Sequence, residues 1–262
     1  MKRKNMAAMV TSIALVGVVA VGGTLALLSQ GSNTVKNTFT VGEGYTTNDI
    51  ILSEADVKQN FDGSYVVNTG TERTGFVYTT LTGQKRYETN SYPDLVPNTT
   101  ISKDPMVTVA ANTPDSWVVV HVGAVDSVFA GSTFDSSNGD WYQVSKVGGK
   151  WTVAEKPVGT AGIKDAPATI VGDTYYIYKS VVETNTESAQ ELTKLFTTLS
   201  VKNDDTIASA AEDTQLVNME IKAGLVQHVE GTKVATDLNE TEIGTIMNAV
   251  ESKLNVNLTA KG

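Results

Sequence analysis

Trp117-Val118-Val119-Val120-His121-Val122 is the stretch on which the fold class turns. It is apolar on both faces except at His121, and three of its residues are consecutive β-branched valines. A short run of this kind reads as a central strand covered on both sides. Val217-Asn218-Met219-Glu220-Ile221-Lys222-Ala223 alternates instead. Val, Met, Ile and Ala share one face and Asn, Glu and Lys the other, as in a half-buried strand with one wet face. Tyr142–Val147 and Lys150–Val153 flank Gly148-Gly149, and paired glycines supply the positive φ of a two-residue hairpin turn. Tyr175–Val181 is a further strand, rich in aromatic and β-branched residues. Weaker strand candidates are Thr38–Val41, Asp49–Leu52, Ser64–Val67, Gly75–Leu81, Met106–Val109 and Leu199–Lys202.

Turn residues separate these runs, among them Asn60-Phe61-Asp62-Gly63, Asn112-Thr113-Pro114-Asp115 and Asn203-Asp204-Asp205. Many short strands at such spacing predict a mainly β protein, an antiparallel β-sandwich. Two segments read as helical. Glu187–Phe196 is short. Asp237–Leu254 places Ile243, Ile246, Met247, Val250 and Leu254 at helical spacing, with Asp237 or Asn239 as its N-cap.

The chain has 262 residues, 20 Lys+Arg against 29 Asp+Glu, two His and no Cys. Without Cys it is no disulfide scaffold, Cys-ligated zinc protein or thiol enzyme. A net charge of −9 with no basic block argues against nucleic acid as a partner. An apolar fraction of 40% is enough for a packed core.

Lys2, Arg3 and Lys4 are the only charges before Lys36, and an apolar run follows from Met6 to Leu28. Positive start, apolar middle and small residues at the end describe a secretory signal helix. Thr24-Leu25-Ala26 fits a small-x-small recognition site, with the cut between Ala26 and Leu27. An uncleaved membrane anchor of the same length is the alternative. The organisation expected is a signal peptide over 1–26, a β-sandwich domain over 27–236 and a C-terminal helical extension over 237–262. Cleavage removes three positive charges and no negative one, taking the net charge from −9 to −12. Self-association of so acidic a chain is sensitive to salt.

Motifs of chemistry are scarce. There is no His-Glu-x-x-His, no Gly-x-Ser-x-Gly and no phosphate-binding glycine loop. His121 and His228 lie far apart in the chain among different neighbours. Asp135-Ser136-Ser137-Asn138-Gly139-Asp140 lacks the distal Glu of a calcium loop and reads as a tight turn. No catalytic residue, metal ligand or cofactor site is assigned.

Several pieces resemble one family. Val21-Gly22-Gly23-Thr24-Leu25-Ala26 resembles the signal cut by the dedicated signal peptidase SipW. Val35–Gly42 followed by Asp49–Glu54 is similar to the start of mature TasA-like and camelysin-like proteins. Leu95–Pro105 resembles their loop leading into a strand, with Asn98 where Gly is usual. Tyr175–Val181 with Leu195-Phe196, and Ile221–Gln227, resemble later elements. The helix from Asp237 onward has no counterpart in that pattern. The resemblance implies a jelly-roll-like sandwich, secretion to the matrix or surface of a Gram-positive bacterium, and assembly into biofilm-matrix fibres. Its implied partners are a SipW-type signal peptidase, further copies of the chain and other matrix components. A camelysin-like surface metallopeptidase and a non-polymerising adhesin are the alternatives. On this reading Val35, Asn37, Phe39 and Val41 form one face of a strand donated to the edge of a neighbouring subunit. Pairing of that strand within its own subunit is the competing outcome.

Overall fold

A computed structural model describes residues 29–31, 45, 48–70, 72–88, 90, 92, 95–123, 139–158, 173–184, 188–201 and 220–254. Its strands are β1 (Ser29–Gly31), β2 (Ile50–Ala55), β3 (Val57–Gln59), β4 (Tyr65–Val67), β5 (Tyr78–Thr79), β6 (Lys85–Tyr87), β7 (Thr100–Ser102) and β8 (Met106–Val109). They continue with β9 (Ser116–Val122), β10 (Trp141–Val147), β11 (Lys150–Val153), β12 (Thr174–Tyr178), β13 (Gln190–Glu191), β14 (Thr198–Ser200) and β15 (Ile221–Gln227). Among the described residues there is one α-helix, α1 (Glu240–Leu254), which follows a short 3-10 turn at Ala235–Asp237.

The strands form a six-stranded sheet in the order β1-β15-β9-β12-β10-β11. A five-stranded sheet, β13-β8-β2-β6-β5, and a four-stranded sheet, β14-β7-β4-β3, complete the set. Pairing is antiparallel except between β4 and β7. Chain neighbours are seldom sheet neighbours, because β9 sits between β15 and β12 and β8 between β13 and β2. Among the described residues the protein is therefore mainly β, a sandwich-like arrangement of antiparallel sheets with one α-helix towards the C-terminus.

Alternation along β9 sets the layers. Val118, Val120 and Val122 join Tyr176, Ile221, Ala223 and Leu225 on one face. They pack against Ile50, Leu52, Val107 and Val109 of the five-stranded sheet and Tyr65, Ile101 and Leu199 of the four-stranded one. Trp117 and Val119 point the other way, with Tyr175, Ile177, Val144 and Trp151, onto Ile243, Ile246, Met247, Val250 and Leu254 of α1. The expectation of a strand buried on both faces holds at every residue of β9. Each of its buried valines contributes about 1.5–3 kcal/mol through removal from water.

The β10–β11 hairpin turns at Gly148 and Gly149, with φ of 58° and 83°, as the glycine pair predicts. Asn98 is also left-handed, at 61°. Asn is among the few side chains that tolerate this region.

Several expectations change. The helix expected over Glu187–Phe196 is absent over its described residues, 188–196: Gln190 and Glu191 pair with Val109 and Thr108, and the N–H groups of Leu192 and Leu195 reach the carbonyls of Val107 and Pro105. The open edge of β8 captures this backbone, and Leu192, Leu195 and Phe196 still reach the core. The wet face expected for the last core strand is covered, because α1 lies over β15, β11 and β1. Lys222 is consequently only 8% exposed, with its Nζ 2.9 Å from Glu220 Oε1. That strand runs Ile221–Gln227, while Val217, Asn218 and Met219 lie outside the described residues. Gly75–Leu81 contracts to β5. The helix begins at Glu240 rather than Asp237, capped by Asn239.

Candidate functional site

β15 is hydrogen-bonded to β9 along all seven of its residues, from Ile221 opposite Val122 to Gln227 opposite Ser116. Among the described residues its outer side carries only β1, with Ser29 opposite Val226, Gln30 opposite Leu225 and Gly31 opposite Gly224. Among the described residues no strand pairs with the outer side of Ile221, Lys222 and Ala223. Unpaired N–H and C=O groups along such an edge are a template for another extended segment. Ser-Gln-Gly contains no apolar residue, and its backbone pairs with β15. Each main-chain hydrogen bond is worth about 0.5–1.5 kcal/mol net, so a three-residue ladder is weak.

This is the part of the expected N-terminal segment that the structure describes. Thr24, Ala26 and Leu27 of the cleavage site lie outside the described residues, as do Val35, Asn37, Phe39 and Val41 of the candidate donor strand. Ser29–Gly31, polar and small in sequence, is paired within its own chain. Nothing in its composition signals a strand, since the cause is the edge it meets.

The two histidines do not share a site. His121 pairs across the ladder with Lys222, and His228 follows the end of β15. Six residues of strand, at about 3.4 Å each, separate them by roughly 20 Å. His121 is 2% exposed, and burial lowers its pKa to about 4. Neither ring nitrogen has a hydrogen-bond partner among the described residues. Its ring lies 4.7 Å from that of Tyr175, itself 5.7 Å from Trp151.

Sequence reasoning missed a charged cluster in the opposing layer. Arg86 is fully buried and donates from Nη1 to Asp104 Oδ2 at 3.1 Å and from Nη2 to the carbonyls of Ser53 and Asp104. Asp104 also accepts from the Ala55 N–H at 2.7 Å and meets Lys194 Nζ at 2.8 Å. Alongside it, Glu54 receives Lys103 Nζ at 2.6 Å and Asn90 Nδ2 at 3.2 Å. Arg73 Nη2 donates to Asn90 Oδ1 at 3.0 Å. Among the described residues no group of His, Asp and Glu is arranged to hold a metal ion. None of their helices is long and apolar enough to cross a membrane. Comparison with protein-family models, curated proteins and solved structures finds no match.

Proposed function

We propose that this chain is a secreted structural protein, a subunit of extracellular matrix fibres joined by exchange of the N-terminal strand. The observation that carries this reading is the outer edge of β15. A seven-residue strand is covered there by three residues from the segment that leads the mature chain. The same hydrogen bonds can form with the β1 of a neighbour, so the pairing within one chain and the pairing between chains have nearly equal contact energy. Concentration then decides between them. Residues 32–41, which include the alternating face Val35, Asn37, Phe39 and Val41, would extend a donated strand along Ala223, Lys222 and Ile221. Head-to-tail donation is a heterologous contact and builds an open filament.

The sequence resemblance to TasA-like, SipW-dependent proteins supports the same reading, as does the left-handed Asn98 at a position where that pattern carries glycine. An N-terminal signal ending at Ala26 would hold the segment at the membrane until cleavage frees Leu27. A chain beginning at Leu27 and one beginning at Gly42 test this at matched concentration, by electron microscopy and sedimentation. The longer chain is expected to form filaments and the shorter to stay a folded monomer. Filaments from the shorter chain would remove the donor role.

A further inference from the structure

We infer that Lys103 and Asn90 form an autocatalytic isopeptide cross-link, with Glu54 as its acid–base catalyst. One carboxylate bridges the two reactants: Glu54 Oε1 lies 2.6 Å from Lys103 Nζ, and Oε2 accepts from Asn90 Nδ2 at 3.2 Å. The site is shielded from water, the side chains of Lys103 and Glu54 being 12% and 8% exposed. Tyr92 lies against it, with Lys103 Nζ 5.7 Å from the ring centre. Tyr65 packs edge-on to Tyr92 from the core side.

The amide is polarised at both ends. Arg73 Nη2 donates to Asn90 Oδ1 at 3.0 Å, where negative charge gathers once the carbonyl carbon becomes tetrahedral. Arg73 is itself oriented by Asp56, at 2.9 Å, and by the face of Tyr87. Asn90 Nδ2, the leaving nitrogen, also donates to the Ala55 carbonyl at 2.7 Å, which fixes the amide plane. Nucleophile, base and electrophile are thus held on one carboxylate, the proximity on which such a step depends.

The reaction balances without a co-reactant. Lys103 passes one ammonium proton to Glu54; in a dry site this transfer removes two charges rather than creating any. The free amine attacks Asn90 Cγ and forms the new C–N bond. Glu54 returns a proton to Nδ2, the Cγ–Nδ2 bond breaks, and ammonia leaves with the remaining amine proton. An ammonium and a primary amide become a secondary amide and ammonium, with no change of oxidation state. The neighbouring pair of Lys194 and Asp104 is a poor competitor, because a carboxylate ion-paired with both Arg86 and Lys194 is a weaker electrophile than a primary amide.

Intact-mass spectrometry of the purified chain, with peptide mapping, is the test. The expected mass is lower than the sequence mass by one ammonia, with a branched peptide joining Asn90 to Lys103. Lys103→Arg, Asn90→Ala and Glu54→Gln should each restore the full mass or its substituted equivalent. Asn90 precedes Ser91, so cyclisation onto the backbone would also expel ammonia. A loss that persists in Lys103→Arg, or a linear cyclic imide in the map, overturns the proposal. So does a wild-type chain of full mass whose circular dichroism shows the β fold. Loss of one water with a Lys194–Asp104 branch would equally overturn it.

Discussion

Arg86 sits at 0% exposure among two sheets, and it is stable there because every contact answers its charge. Asp104 takes one side of the guanidinium, and the carbonyls of Ser53 and Asp104 take the other. Removing the anion leaves a buried cation with no counter-charge, which costs about 3–5 kcal/mol. Asp104→Ala is expected to lose that much in urea unfolding; a loss under 1 kcal/mol would mean that the pair contributes little. His121 poses the opposite problem, since it is buried beside Tyr175 and uncharged at neutral pH. Asp173, Glu220 and Lys222 are the charged groups that act on it, and burial outweighs them all. Its pKa falls from 6.5 to about 4 in the folded state, so between those values the unfolded chain binds the extra proton. Its contribution is present in full above pH 6.5 and is lost as pH falls towards 4. The loss is about 3 kcal/mol at 1.36 kcal/mol per unit. Unfolding at pH 7 and pH 4.5 should show a smaller difference in His121→Phe than in wild type. An equal difference in both would assign the acid sensitivity elsewhere.

Helix α1 owes its start to Asn239, whose Oδ1 accepts from the N–H groups of Thr241 and Glu242. Glu242 Oε2 in turn accepts from the Asn239 N–H at 2.9 Å, closing a reciprocal cap. Asn239→Ala is expected to cost about 1 kcal/mol. Because α1 covers the second face of the six-stranded sheet, the loss should appear in global unfolding and not only as fraying. A helix signal that melts before the sheet would contradict this. The helix was legible in sequence: Ile243, Ile246, Met247, Val250 and Leu254 are the residues that the 3.6-residue period names, and all five are buried. The β10–β11 hairpin and β9 were equally legible, the first from two glycines and the second from a valine run. Local pattern failed where distant partners decide. Leu192, Leu195 and Phe196 have helical spacing, yet β8 needed an edge partner and took Gln190 and Glu191. Ser29-Gln30-Gly31 has no strand signal at all, and the charged cluster draws on Glu54, Arg86, Asn90, Lys103, Asp104 and Lys194, which no short motif connects.

At the scale of the whole molecule, the sandwich closes its two faces and leaves an edge. β15 joins the centre of the six-stranded sheet to its rim, so on the proposed reading a strand donated to its outer side would extend that sheet from one subunit to the next. On the proposed route, fibre growth would need only that β1 leave its own β15 and bind another, and the net charge of −12 of a chain cut after Ala26 would slow the encounter at low salt. The chain has no cysteine, so an introduced pair reports on this pairing without interference. Ser29 and Val226 face each other across the ladder, a spacing that a disulfide can span. The decisive measurement mixes two chains, each beginning at Leu27, one carrying Ser29→Cys and the other Val226→Cys, under assembly conditions with mild oxidation. The expected result is a disulfide joining the two different chains within filaments, at a yield that rises with concentration. Filaments in which no such disulfide forms, while the Ser29→Cys/Val226→Cys double variant closes its bond within one chain, would contradict strand exchange.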